Sequence, residues 1–313
     1  MITLQDIQEA SLRIAGAIRR TPLVATSPVK QHRNEAQALY LKLENMQVTG
    51  SFKARGAVNT VLSLTPEQLS RGLVTASGGN HGLGVAYAGW LAQVPVTIYL
   101  SLNTPVTKAQ KLERWGARVV YKGDVWDDAN RAAMDVAERA GLTYVHPFAN
   151  PTVIAGQGTI GLEILQDIPE VDVLLVAVGG GGLISGISIA AKALRPALKV
   201  IGIEPVGAPT LYESLRAGQV IELPEIRTAA NTLAPRMSAA LNLGIIQQNV
   251  DDIVLVTDEE MREAAQWLWF EMGVAAELSG AASVAALLTG KVRFQPAQKI
   301  CALICGAGTD GIS

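Results

Sequence analysis

Val171-Asp172-Val173-Leu174-Leu175-Val176-Ala177-Val178 runs straight into Gly179-Gly180-Gly181-Gly182, and then into Leu183-Ile184-Ser185-Gly186. An unbroken apolar run rich in branched residues and closed by glycine predicts a strand buried on both faces. The stretch 183–194 reads as a helix, so the glycines form a strand-to-helix turn. Four glycines let the backbone approach an anion closely, and the helix N-terminus behind them offers unpaired N–H groups and a favourable dipole. Phosphate is the natural ligand, because a bare turn needs only one glycine.

The same alternation extends outward in both directions. Short apolar runs recur at LVTA (73–76), VPVTIYL (94–100), ARVVY (117–121), TYVH (143–146), KVIGIE (199–204), DIVLV (252–256) and KICALIC (299–305). Leu39, Leu41 and Leu43 alternate with polar neighbours, which is strand periodicity. Helical stretches at 53–64, 105–115, 126–140 and 258–272 separate the runs. At the start, Leu4, Ile7, Ala10, Ile14 and Ile18 form one helical stripe, with Thr3 as N-cap and Thr21-Pro22 as the expected stop. Strands alternating with helices predict an α/β protein with parallel sheets covered on both faces. The runs between 73 and 146 suggest a smaller unit at 69–148, with 1–68 and 149–313 forming a larger one.

Composition narrows the function. The 313 residues carry 26 Lys+Arg against 28 Asp+Glu, a net charge of -2, which leaves no basic surplus for a nucleic-acid partner. Hydrophobic residues reach 49%, enough for a packed core, yet no apolar run approaches the ~20 residues of a membrane helix. The first residues lack the basic-then-apolar pattern of a signal peptide, and Cys301 and Cys305 lie too close together to staple distant segments. A cytoplasmic protein is expected.

Two further glycine turns follow strands. Ser77-Gly78-Gly79-Asn80-His81-Gly82 offers Ser77, Asn80 and helix N–H groups to a carboxylate; alternatively Asn80 caps the helix and Gly79 allows the turn. Cys305-Gly306-Ala307-Gly308-Thr309-Asp310 is the third. Ligands of open α/β sheets bind outside the strand C-termini, so three such turns suggest one crevice. Lys53 opens a helix, where the positive dipole end should lower its pKa and make it a better amine nucleophile; alternatively it is a solvated surface lysine, the reading this segment favours when the glycine turns are set aside.

Other chemistries find little support. Glu204 stands where a nicotinamide-binding fold places its ribose acid, but no frame of 179–186 satisfies G-x-G-x-x-G. The three histidines (His32, His81 and His146) form no H-E-x-x-H, and neither C-x-x-C nor G-x-S-x-G occurs.

Taken together, the motifs resemble those of the serine/threonine dehydratase family, pyridoxal-phosphate enzymes of fold type II. Lys42-Leu43-Glu44-Asn45 continuing to Thr49-Gly50-Ser51-Phe52-Lys53-Ala54-Arg55-Gly56-Ala57 resembles the family's lysine motif. Ser77 to Gly82 resembles its S-x-G-N-H-G loop, and Gly179 to Leu183 its tetraglycine phosphate cup. The resemblance implies two open, twisted, mostly parallel sheets like those of tryptophan synthase β, with the cofactor in the crevice between domains. It also implies that Lys53 forms the internal aldimine, with Phe52 against the ring and Asn80 on the 3′ oxygen. Gly179, Gly180, Gly181, Gly182 and Leu183 would hold the phosphate, Cys305 would meet the pyridine nitrogen, and Ser77, Gly79 and His81 would line the substrate carboxylate. Glu277 resembles a family glutamate close to the cofactor, although an ordinary helix-terminal acid is its plain alternative.

The implied reaction is β-elimination from an L-3-hydroxy amino acid such as threonine or serine, giving a 2-oxo acid and ammonia. A racemase, a dehydratase of a bulkier hydroxy amino acid, a nicotinamide oxidoreductase and an idle metabolite binder are the alternatives. A homodimer acting on a small amino acid is expected. Several departures from the family pattern bear on substrate and control. Thr228-Ala229-Ala230-Asn231-Thr232-Leu233 stands where relatives read T-x-A-D-G-L. Of the divalent-cation site in some relatives, Glu204 and Ala208 fit but the third ligand is Thr210, so a weak or missing site is expected. The chain ends at Ser313, which leaves no room for a C-terminal regulatory domain and so predicts no feedback control of that kind. Relatives that racemise serine carry a hydroxyl where this chain has Gly78.

Overall fold

The computed structural model describes residues 2–27, 29–30 and 38–312; His32 and Ser313 lie outside them. The strands are β1 (Leu23–Ala25), β2 (Ala38–Leu43), β3 (Leu73–Ala76), β4 (Val96–Leu100), β5 (Arg118–Tyr121), β6 (Thr143–Tyr144), β7 (Val173–Ala177), β8 (Lys199–Pro205), β9 (Asp252–Val256) and β10 (Lys299–Ile304). The helices are α1 (Leu4–Ile14), α2 (Lys53–Leu62), α3 (Pro66–Arg71), α4 (Asn80–Ala92), α5 (Val106–Glu113) and α6 (Trp126–Ala140). They continue with α7 (Pro151–Asp167), α8 (Gly182–Leu194), α9 (Thr210–Ala217), α10 (Ala240–Asn249), α11 (Asp258–Met272) and α12 (Leu278–Leu288).

Two sheets result. One has the order β1-β2-β10-β7-β8-β9 and the other β5-β4-β3-β6. Every pairing is parallel except β1 with β2, so the α/β expectation holds. β7 is buried at all five positions, as a strand covered on both faces must be.

The strand orders explain where a ligand belongs. In the smaller sheet the chain steps from β3 to β4 to β5, then returns to the opposite side of β3 with β6. In the larger sheet it steps from β7 to β8 to β9, and β10 returns to the opposite side of β7. Each reversal leaves a crevice at the strand C-termini. The loops that border these crevices follow β3, β6, β7 and β10, and they include all three glycine turns.

Helix α2 joins the two halves. Its Ala54, Ala57, Val58 and Val61 share a buried cluster with Leu73, Val85, Ala86 and Ile98 of the smaller sheet's layers. Just before it, Phe52 N–H donates to the Cys305 carbonyl at 3.2 Å, and Ala307 N–H donates to the Gly50 carbonyl at 2.8 Å. The start of α2 is thus tied by backbone to the end of β10.

One boundary differs from expectation. The Thr3 cap is present, as a capping box with Asp6, but α1 stops at Ile14 and not at Thr21-Pro22. Ala15 is extended and Gly16 takes φ +77°, a conformation only glycine adopts at no cost. Ile18 therefore lies off the helix.

Candidate active site

Lys53 is the first residue of α2, and its Nζ donates to the Pro147 carbonyl at 2.8 Å. The amine lies 5.1 Å from the Phe52 ring centroid. Burial brings its pKa down to about 8, against the opposing pull of Cys305 and Glu277. The helix dipole predicts a lowered value, but desolvation is the larger cause. The approach to Lys53 is strained: Thr49 takes φ +65°, where β-branched residues are rare.

The tetraglycine turn lies beside it. A Cβ on Gly180 would come within 2.3 Å of the Phe148 ring, so only glycine permits this approach to the residue after Pro147. Gly180 is fixed through its carbonyl, which accepts from Asn242 Nδ2 at 2.6 Å and Ser238 Oγ at 3.0 Å. Among the described residues the amides of Gly179, Gly180, Gly182 and Leu183 donate to nothing. Gly181 differs from expectation: its N–H is committed to the Val178 carbonyl at 3.0 Å, which closes the turn. The Ser51 and Ser185 hydroxyls are buried without partners. Free amides at a helix N-terminus, orphaned hydroxyls and a desolvated lysine amine suit a phosphorylated carbonyl compound.

At the far side, Glu277 Oε1 accepts from Asn80 Nδ2 at 2.9 Å and from Thr232 Oγ1 at 3.0 Å. Burial pushes Glu277 up to about 7, opposed by those hydrogen bonds and helped by Asp310. Glu277 is more than an inert helix-terminal acid, since it links α4 to the loop 231–233 that lies on Gly179. Asn80 does not cap α4; Gly79 occupies the N-cap position. The Cys305 thiol is buried, donates to the Ser279 carbonyl at 3.5 Å, and is raised by burial so that it stays protonated.

The Ser77 loop is compact, with Gly79 N–H donating to Ser77 Oγ at 3.2 Å. His81 departs from expectation. Its ring turns into the smaller sheet, with Nε2 2.9 Å from the Val145 carbonyl and 3.0 Å from Thr75 Oγ1. Burial and Lys53 lower it to about 3, so it is neutral and only its backbone can line a site. Glu204 is fully buried with both oxygens engaged, by Leu211 N–H at 3.1 Å and Tyr212 N–H at 2.8 Å, and burial raises it to about 8. It therefore serves the first turn of α9, and Thr210 Oγ1 is turned to the Pro235 carbonyl. Ala208 is buried beside them.

Beneath Lys53 lies a buried ionic cluster. Arg55 meets Glu44 at 2.7 Å and Glu163 at 2.7 Å, and Lys42 meets Glu163 at 2.5 Å. Burial alone would lower Arg55, but Glu44 and Glu163 hold it raised. Two cations balance two anions, and the cluster pins α2 two residues beyond Lys53. Pro147, Phe148, Asn242 and the Thr232–Glu277 contact are not legible in the sequence. Asn242 sits in an unremarkable helix, whereas Thr232 is signalled by its departure from the family segment.

The arrangement defines a class of protein: an α/β enzyme presenting a desolvated lysine beside a glycine turn of free amides, at the reversals of its two sheets. A family model described as pyridoxal-phosphate dependent enzyme matches residues 14–306. The chain is 41% identical over 310 residues to the L-threonine ammonia-lyase of Thermotoga maritima, covering 99% of this chain and 76% of that protein. It is 37% identical to the L-threonine dehydratase catabolic TdcB of Staphylococcus aureus strain N315, covering 99% and 90%. Among solved structures, serine racemase from Dictyostelium discoideum matches with TM-score 0.91 at 36% identity over 98% of each chain. The processed form of threonine deaminase isoform 2 from Solanum lycopersicum matches with TM-score 0.90 at 31% identity, over 98% of this chain and 90% of that one. The chain belongs to the pyridoxal-phosphate dependent enzyme family, with the fold type II architecture.

Proposed function

We propose that the protein is an L-threonine ammonia-lyase, releasing a 2-oxo acid and ammonia from threonine or a similar L-3-hydroxy amino acid. The observation that carries this reading is the convergence of Lys53, the free amides of Gly179, Gly180, Gly182 and Leu183, and Asn80 on one crevice. The names and coverage of the relatives support the same substrate class.

Pyridoxal phosphate, when bound, supplies an electron-withdrawing group for the substrate Cα. The residues around it divide the remaining work. The four free amides would receive the phosphate, and Ser77 with the Gly79 and His81 backbone would receive the substrate carboxylate. Lys53 would hold the cofactor and, as a free amine, would take the Cα proton; its lowered pKa keeps a useful fraction neutral near pH 8. The protonated Cys305 thiol would offer the pyridine nitrogen a neutral partner, where a carboxylate would offer a charged one. Phe52 would lie against the ring and Asn80 would meet the 3′ oxygen.

The residues 69–148 form the smaller unit and 1–68 with 149–313 the larger; sheet membership supports this division, with α2 packed on both. A cytoplasmic homodimer completes the reading. The two free, buried cysteines support that compartment, and light scattering tests the assembly.

The deciding experiment incubates the cofactor-loaded enzyme with L-threonine and L-serine and measures keto acid and ammonia. Equal yields of the two support elimination. Absence of both, with D-enantiomer accumulating, would establish a racemase instead.

A further inference from the structure

The carbonyls along β3 that face β6 form a series that stops short of completion. Gly72 O accepts from Thr143 N–H at 3.0 Å, and Val74 O accepts from Val145 N–H at 3.0 Å. By the two-residue repeat of a strand, Ala76 O faces the same side, and its partner would be the N–H of residue 147. Residue 147 is proline, which has no N–H to give. Ala76 is fully buried, and a buried carbonyl left unpaired is costly. Trp126, the first residue of α6, fills the position: its indole Nε1 donates to Ala76 O at 2.9 Å.

We propose that Trp126 is a positioning residue for the substrate loop, holding the peptide from which Ser77–Gly79 departs. This rests on the reading of that loop as the carboxylate site. The other end of the loop is already fixed, because His81 is anchored on Thr75 and Val145. A wall completes the support: the Gly78 Cα faces Thr104, Leu100 and Lys108. Only the Ala76 end depends on a side chain that is itself 47% exposed. Without the indole N–H, Ala76 is held only on the β4 side, where it pairs with Tyr99, and the peptide that leads into the loop is left to tilt toward water and turn the amides that follow it.

A carboxylate is held equally in the ground state and the transition state, so its loss shows in KM and not in kcat. Trp126→Phe keeps an aromatic ring and removes the donor. In the cofactor-loaded enzyme we expect KM for L-threonine to rise about fivefold, the equivalent of one ordinary hydrogen bond, with kcat within about twofold. L-Alanine, which has the carboxylate and amine but no leaving group, should lose the same factor when its binding is followed by the cofactor's visible spectrum. Cofactor affinity should be unchanged, and the melting temperature should stay within about 3 °C. Unchanged KM and L-alanine affinity would overturn the proposal. So would a fall in kcat or melting temperature with KM unmoved, which marks a purely structural contact. If the unmodified enzyme neither releases keto acid from L-threonine nor binds L-alanine, the proposed function itself fails, an outcome distinct from either.

Discussion

Asn80 at the start of α4 donates its side-chain amide to Glu277 at the start of α12 across 2.9 Å, so one hydrogen bond spans the crevice between the two sheets. The acceptor is a buried carboxyl whose pKa stands at about 7. A carboxyl raised in the folded state contributes stability that is complete below its ordinary value of 4.5 and is lost as pH rises through about 7. Glu277→Gln cannot titrate. The melting temperature of the variant relative to the unmodified protein should therefore climb between pH 5 and pH 8, by up to about 3 kcal/mol of stability. Thermal scans across that range check it; a flat difference would mean that Glu277 titrates normally.

Lys53→Ala should abolish the visible band of bound cofactor and all turnover, while the melting temperature of the cofactor-free protein stays within a few degrees. The lysine's hydrogen bond to Pro147 contributes about 1 kcal/mol. In the unmodified protein, capture of the cofactor needs the neutral amine. Its rate should rise about tenfold per pH unit below pH 8 and level off above it, well before an ordinary lysine would. Stopped-flow absorbance measures this directly.

Racemisation needs a proton donor or acceptor on each face of the substrate Cα, and Lys53 serves only one. Gly78 has no side chain to serve the other. Chiral chromatography of residual L-threonine during turnover should show no D-configured product. A Cβ at position 78 would lie 3.0 Å from Thr104 Cγ2, so Gly78→Ser is crowded. Combining it with Thr104→Ser removes that methyl, and the double variant should raise racemisation relative to elimination.

The cluster beneath α2 should be costly to break from one side. Glu163→Gln leaves Lys42 and Arg55 facing a neutral amide, and about 3–5 kcal/mol of stability should be lost at pH 7. The Glu163 pKa is lowered: burial alone would raise it, but Arg55 and Lys42 prevail. Its contribution is therefore present above the ordinary carboxylate range and disappears as pH falls through the lowered value. Urea unfolding at pH 7 and pH 3 should show the gap between variant and unmodified protein closing in acid.

Chelation should leave activity intact. Both Glu204 oxygens are taken by amides of α9, and Thr210 offers its hydroxyl to Pro235. A hard cation finds no free carboxylate there. Loss of activity in chelator, restored by magnesium, would count against this.

Much of this was legible because parallel strands are apolar throughout. LVTA (73–76) and DIVLV (252–256) match their strands residue for residue, and the amphipathic helices 126–140 and 258–272 match theirs. α7 and α12 left no such trace. α12 is buried from Leu278 to Leu287, so it has no polar face to set a period. In the candidate site, residue types in fixed order singled out Lys53, the glycines and Asn80. The direction in which a side chain turns is not written in order, and so the inward ring of His81 and the closed amide of Gly181 emerged only from the fold. Contacts made by a backbone atom, such as Pro147 O with Lys53, have no residue type to announce them.

The residues on either side of Lys53 are fastened, by the backbone of Gly50 and Phe52 to the end of β10 and by the apolar side chains of α2 to the other sheet's layers. Lys53 is therefore a common origin from which both halves of the crevice are measured. Substitutions in the loops after β3, β7 and β10 can alter what is admitted and how it is oriented without displacing the amine. Diversification of substrate preference on this scaffold is then a matter of redrawing the surroundings of a fixed point, and chains as alike as an ammonia-lyase and a racemase can share it.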